Sequence, residues 1–177
     1  VSIADFDIPA LTLKKEDLRG SAEAVAALKT MMQAAQDAGV TGFYLVSVYR
    51  TFAEQQALWE EKVAADAGYG ADPSIPVITA YPGASEHQTG LAFDISAVDA
   101  RALSAKFAKT EQGKWLYAHS WRFGFILRYP ENAQQETGIV FEPWHFRYVG
   151  RPLAAYLCRA DITLERFYAE FLPDSNG

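Results

Sequence analysis

Four side chains in two short stretches have the types and spacing to do chemistry. His87 and Asp94 lie in Ser85-Glu86-His87-Gln88-Thr89-Gly90-Leu91-Ala92-Phe93-Asp94, and Glu142 and His145 frame Glu142-Pro143-Trp144-His145. Two imidazoles and one carboxylate make three ligands of the kind zinc takes, leaving a fourth position open for water. The remaining carboxylate is then free to handle a proton. That inventory predicts a hydrolytic zinc site.

Each residue has a plainer role when taken alone. A histidine between Trp144 and Phe146 is ordinarily a satisfied core residue, and an aspartate closing the Leu91-Ala92-Phe93 run is ordinarily an edge residue. Taken together they read differently. Gly90 lies between His87 and Asp94 and lets the backbone turn sharply beside an ion. Pro143 excludes a regular helix through 142–145 and holds Glu142 extended, so the glutamate reaches the water from the loop side without being a ligand. The arrangement is not the helical His-Glu-x-x-His of other zinc peptidases. His119, the third histidine, sits in a helical pattern between Ala118 and Ser120 and is assigned a structural or surface role. Ser85, His87 and Asp94 could be named a triad, but no nucleophile-elbow glycine pattern surrounds Ser85.

The 177 residues predict one domain with a sizeable core, and 50% hydrophobic content argues against disorder. A net charge of -6 argues against nucleic acid as a partner. No apolar run approaches the ~20 residues of a membrane-spanning helix, and no signal peptide is visible. Val1 is not an initiator methionine, so the chain reads as a processed or trimmed fragment. Cys158, the single cysteine, excludes an intrachain disulfide and a multi-cysteine zinc cluster; it reads as a small, buried or half-buried hydrophobe.

The elements that must position the site follow from periodicity. Residues 1–20 show no clear period and read as an extended lead-in to a domain spanning 21–177. Ser21 can cap a helix carrying Val25, Leu28, Met32 and Ala35, which Gly39 stops. Strands are predicted over 43–48, 91–95, 125–128 and 145–149. Thr51 and Glu54 form a capping-box pattern for a helix to about residue 65. Residues 67–83 hold several glycines and prolines and predict a long loop, a length that is often functional. Helices are predicted over 98–109, 111–122, from Gly150-Arg151-Pro152 onward, and over 163–171, with 131–138 a loop. Helices first, with strands scattered among them, favour an α+β fold over a doubly wound sheet.

Ser85-x-His87, Gly90-x-Ala92-x-Asp94 and Glu142-Pro-Trp-His145-Phe-Arg-Tyr-Val-Gly150 together resemble the VanY-type D-alanyl-D-alanine carboxypeptidases, in the group that also holds lysostaphin-like peptidases and the hedgehog signalling domain. The stretches Ser47 to Thr51, Trp115-Leu116, and Phe123 to Pro130 add to the likeness, which covers about residues 21 to 152. The resemblance implies a single domain with a small antiparallel sheet carrying the zinc site and helices packed around it. It implies His87, Asp94 and His145 as zinc ligands and Glu142 as the general base. It implies Arg50 as receiver of the substrate's terminal carboxylate, Gln55 and Ser85 as helpers, and Trp144 as an aromatic wall beside the metal. Val48 and Thr51 depart from the glycine and serine that often flank the Tyr-Arg pair. The implied activity is removal of a C-terminal D-Ala from peptidoglycan stem peptides in the bacterial cell envelope, extracellular or periplasmic. L,D-carboxypeptidase action on tetrapeptide stems is the alternative, and a non-catalytic zinc-holding binding module the next.

Overall fold

Val25, Leu28, Met32 and Ala35 recur at helical spacing, and in the computed structural model they form the fully buried face of helix α1, Ala22–Asp37. The structure describes residues 1–72, 75 and 77–172; Pro73, Ser74 and Pro76 of the predicted 67–83 loop, and residues 173–177, lie outside them. Ser21 stands at the N-cap, but its side chain makes no capping bond. Its backbone N–H instead donates to Gly90 O at 2.9 Å, which ties the helix start to the turn that follows His87.

Among the described residues five strands form one sheet in the order β1-β2-β3-β5-β4: β1 Leu11–Leu13, β2 Phe43–Ser47, β3 Ala92–Ala97, β4 Phe125–Leu127 and β5 His145–Tyr148. β1 pairs parallel to β2, and every other pairing is antiparallel. Between β2 and β3 the register runs Leu45↔Ile95 and then Ser47↔Asp94, so Val46 is a bulged residue. Side chains alternate across a strand. Phe93 and Ile95 therefore enter the core with Phe146, while Asp94 and His145 leave the sheet on its other face. The core joins Leu28 and Met32 of α1 to Phe43, Leu45, Phe93, Ile95 and Phe146, and to Phe107 and Leu116 beyond them. Truncating Phe93 there would cost about 3–5 kcal/mol.

Helix α2, Phe52–Ala65, begins with the full Thr51–Glu54 capping box read from the sequence. α3 is Glu111–His119, continued by a 3-10 turn over Ser120–Phe123, and a short α4, Gln134–Thr137, occupies part of the segment expected as loop. α5 is Arg151–Ala160 and α6 Leu164–Phe171; Leu157 and Leu164 share a second, smaller apolar cluster with Ile126.

Three expectations are corrected. Residues 98–109 do not form a regular helix: Val98 N–H donates to Gly42 O, Ser96 Oγ donates to Ala100 O, and only a 3-10 turn over Ala105–Lys109 remains. Side-chain and loop bonds have there replaced the helical ladder. Residues 1–20 are more than a lead-in, since β1 adds a strand and Ile3 and Leu18 join the core. Cys158, on α5, is exposed.

Candidate metal centre

His87 is presented by a 3-10 turn, Glu86–Thr89, that ends in Gly90 at φ 69°. The positive φ strains any L side chain, and an added Cβ would meet Ser21 N at 3.2 Å. The turn is fixed from the β2 side by Arg50 N–H, which donates to His87 O at 3.1 Å. His87 Nδ1 lies 2.6 Å from Val48 O. A carbonyl only accepts, so Nδ1 carries the proton and the Nε2 lone pair is left facing the site.

Asp94 and His145 are direct cross-strand partners on β3 and β5. His87 Nε2 lies 3.2 Å from Asp94 Oδ2, and His145 Nδ1 lies 3.2 Å from Asp94 Oδ1. Ligand atoms of the three residues all fall within 4.8 Å of one another. Donors about 2.1 Å from a tetrahedral ion sit roughly 3.4 Å apart, so the spacing suits one small cation. Burial supports the same reading. His87, Asp94 and His145 are each 4–5% exposed, and Asp94 Oδ1 is buried with no hydrogen-bond partner among the described residues. Such an orphaned carboxylate oxygen is costly without a cation or a proton to meet it. Two imidazole nitrogens and a carboxylate oxygen are a donor set that zinc takes.

Glu142 is held at the edge of this triad by a tight turn. Its N–H donates to Tyr129 O at 3.1 Å, and its own carbonyl accepts from His145 N–H at 3.1 Å across Pro143 and Trp144. Glu142 Oε2 lies 3.7 Å from His145 Nδ1, near enough to act beside the candidate ligands. Burial pushes Glu142 up to about 8; the nearby His145 opposes this, Asp94 adds to it, and Arg50 opposes it. Burial would also raise Asp94 and lower His145. The mutual attraction of the two imidazoles and the carboxylate overrides it, holding Asp94 well below the carboxylate range and lifting His145 to about 9.

Arg50 closes the site on the β2 side. Its Nη2 lies 3.8 Å from Asp94 Oδ2 and 3.2 Å from Ser47 Oγ, and its Nη1 donates to Gln55 Oε1 at 2.6 Å. Gln55 is fully buried, and its Nε2 donates to Ala80 O at 2.6 Å, so one amide fixes both the guanidinium and the 67–83 loop. Ser85 is buried at the start of the His87 turn, where its carbonyl accepts from Gln88 N–H at 3.1 Å. Trp144 is claimed by the core: it packs in the same cluster as Phe93 and Phe146, and its carbonyl accepts from Ile95 N–H at 2.9 Å. It braces the β3–β5 pair, and its burial there is the contact the fold records. His119 stays outside the triad, with its ring 5.0 Å from that of Trp115.

Glu86 has a place in the site that sequence reasoning missed. Its Oε2 lies 3.5 Å from His145 Nε2, the ring nitrogen turned away from Asp94. Its Oε1 accepts from Arg128 Nε at 2.7 Å. The available signal was a carboxylate adjacent in sequence to a ligand histidine, together with Arg128, which falls within a stretch already noted.

Known proteins resemble this chain in sequence and in shape. The D-alanyl-D-alanine carboxypeptidase of Enterococcus faecium is 37% identical over 144 residues, covering 81% of this chain and 42% of that protein. The chain spans roughly half the length of such curated relatives, between 42% and 52% for three of them. Among solved structures, the LdcB LD-carboxypeptidase, described for its peptidoglycan recognition, superposes with a TM-score of 0.81 at 37% identity, covering 92% of this chain and 76% of that one. A mutant of the vancomycin-resistance D,D-pentapeptidase VanY, in complex with Zn(II), superposes with a TM-score of 0.71 at 35% identity, covering 93% and 91%. The family model for VanY, D-alanyl-D-alanine carboxypeptidase, matches residues 17–151, the stretch that carries His87, Asp94, Glu142 and His145. With its fold, its donor triad and this match in agreement, the chain belongs to the VanY family.

Proposed function

We propose that this chain is a zinc-dependent D-alanyl-D-alanine carboxypeptidase domain that removes the C-terminal D-Ala from peptidoglycan stem peptides in the bacterial cell envelope. The observation that carries the reading is Arg50, a half-buried guanidinium 3.8 Å from Asp94 and braced by Gln55 and Ser47. A carboxypeptidase must recognise a free chain end, and a planar fork of N–H donors matches a carboxylate. The bonds to Gln55 and Ser47 use two of its five N–H donors, so the fork keeps capacity for substrate. A plain Arg50–Asp94 ion pair is the duller reading. It gives no reason for a fully buried glutamine to hold the guanidinium at the triad.

His87, Asp94 and His145 would hold the zinc, and His87 is already set in the required tautomer by Val48 O. Zinc, when bound, supplies Lewis acidity, acidifying water, polarising a carbonyl and lowering the pKa of a neighbouring carboxyl. Glu142 is the general base: its carboxylate takes a proton from the attacking water and returns it to the leaving D-Ala nitrogen. Arg50 holds the terminal carboxylate of that same D-Ala, which fixes the scissile bond between the two groups. The buried surroundings of Glu142 keep bulk water from competing for the proton.

D-alanine release from a pentapeptide stem, with and without chelator, tests the proposal. Release that stops on chelation and returns with zinc supports it; chelator-resistant release counts against it. The likeness to the LdcB LD-carboxypeptidase favours L,D-cleavage of a tetrapeptide stem as a second reading. The same assay on a tetrapeptide decides between them. Among the described residues no helix is long and apolar enough to cross a membrane. The cell-envelope location follows from the proposed substrate, which is found there.

A further inference from the structure

We propose that Glu86, Arg128 and Glu165 are positioning residues for His145, so that the C-terminal helix α6 is part of the metal site. The inference rests on the zinc reading given above.

His145 turns Nδ1 toward Asp94 and Nε2 toward Glu86 Oε2 at 3.5 Å. Both His145 Nε2 and Glu86 Oε2 are buried and have no hydrogen-bond partner among the described residues, and they face each other. A shift of a few tenths of an ångström closes that gap to a hydrogen bond. The pairing places the ring proton on Nε2 and leaves the Nδ1 lone pair for an ion, because a carboxylate only accepts. Arg147 Nη1 approaches the same Glu86 oxygen at 3.9 Å, too far to hold it.

Arg128 supplies the hold. Its Nε donates to Glu86 Oε1 at 2.7 Å, Nη1 donates to Glu165 Oε2 at 2.9 Å, and Nη2 donates to Glu165 Oε1. One planar guanidinium thus bridges two carboxylates, with a bidentate fork toward α6. Its backbone N–H donates to His145 O at 3.1 Å, so the clamp and the ligand also share a strand contact. Tyr129 fills the remaining side, with its ring 4.9 Å from that of His145 and beneath the Arg128 guanidinium. Glu165 lies beyond residues 17–151, the span of the family match, so the outer end of the relay belongs to a part of the chain which that match does not include.

The duller reading is that Arg128 and Glu165 simply clip α6 to β4. Zinc affinity separates the two, measured on the full 177-residue chain by competition with a chromophoric chelator. Glu86→Gln is expected to weaken zinc binding by about 10–100-fold. Glu165→Gln is expected to weaken it by about 3-fold or more, with no further loss when added to Glu86→Gln, since it acts through that residue. A clip would lower the melting temperature and leave affinity unchanged. Wild-type affinity in Glu165→Gln therefore overturns the proposal, as do additive losses in the double variant. If Glu86→Gln does not fold, Glu165→Gln against Glu165→Asp gives the same reading, with affinity partly restored in the aspartate. A wild-type chain that binds no zinc would instead overturn the zinc reading itself.

Discussion

Asp94 and His145 face each other across β3 and β5, with Asp94 Oδ1 and His145 Nδ1 3.2 Å apart. Directly opposed residues in an antiparallel pair put their side chains on the same face a few ångströms apart. Two of the three proposed ligands are therefore set by strand register, with no loop between them to relax. His87 is the adjustable one, carried by a turn and fixed by Val48 and Gly90.

Glu142→Gln keeps the shape of the carboxyl and removes the proposed base. We expect it to retain zinc and lose about 10²–10⁴-fold in kcat, because proton transfer is the role proposed for it. Metal content by elemental analysis beside D-alanine release checks this. Near-normal turnover would remove Glu142 from the mechanism.

Arg50→Ala should act on substrate rather than on metal. Loss of charge-assisted bonds worth about 1.5–3 kcal/mol lowers kcat/KM by roughly 10–100-fold for a free C-terminus. An amidated peptide, already poor, should suffer little further loss. Equal losses on both peptides would mean that Arg50 supports the fold and does not read the chain end.

Metal removal should give stability a pH slope. In the metal-free protein His145 is lifted from 6.5 to about 9. Its stabilising contribution is full below about pH 6.5 and is lost as pH rises toward 9. Glu142, raised from 4.5 to about 8, also binds its proton more tightly in the folded state, so stability again falls as pH rises across that interval. Both act in the same direction between pH 6.5 and 8. Melting temperatures of chelated protein should fall from pH 6 to 9. The zinc-loaded protein, whose His145 nitrogen is given to the ion, should stay flatter. Parallel profiles would contradict the assignment of His145 as a ligand.

Gln55→Leu removes the amide that joins Arg50 to Ala80. Two half-buried partners lose their bonds, at about 0.5–1.5 kcal/mol each. Thermal unfolding should report the loss of stability, and KM should rise more than kcat falls as the guanidinium loosens. Unchanged KM would leave Gln55 with a purely structural role.

The site was legible where its parts are close in sequence. Gly90 between His87 and Asp94 announces the turn, and alternation through Phe93, Asp94 and Ile95 separates the core face from the site face. The relay was not legible, because Arg128 lies 42 residues from Glu86 and 37 from Glu165, and no local pattern records such a pairing. Residues 98–109 misled for the opposite reason. Their alanines favour helix, but the hydrogen bonds of Val98 and Ser96 to distant or non-helical partners prevailed. β1 was missed because its partner is β2, reached only after the whole of α1.

Val46 has a consequence for how the edge of the site is built. It is the odd residue in β2, and beyond it every side chain changes phase relative to β3. That offset puts a hydroxyl, rather than an isopropyl group, beside the aspartate, and starts Tyr49-Arg50 on the matching footing. Were β2 to pair without the bulge, with Val46 opposite Asp94, every functional side chain would still be in the sequence, yet the strand leading to the guanidinium would run one residue out of step and an isopropyl group would take the hydroxyl's place beside the aspartate.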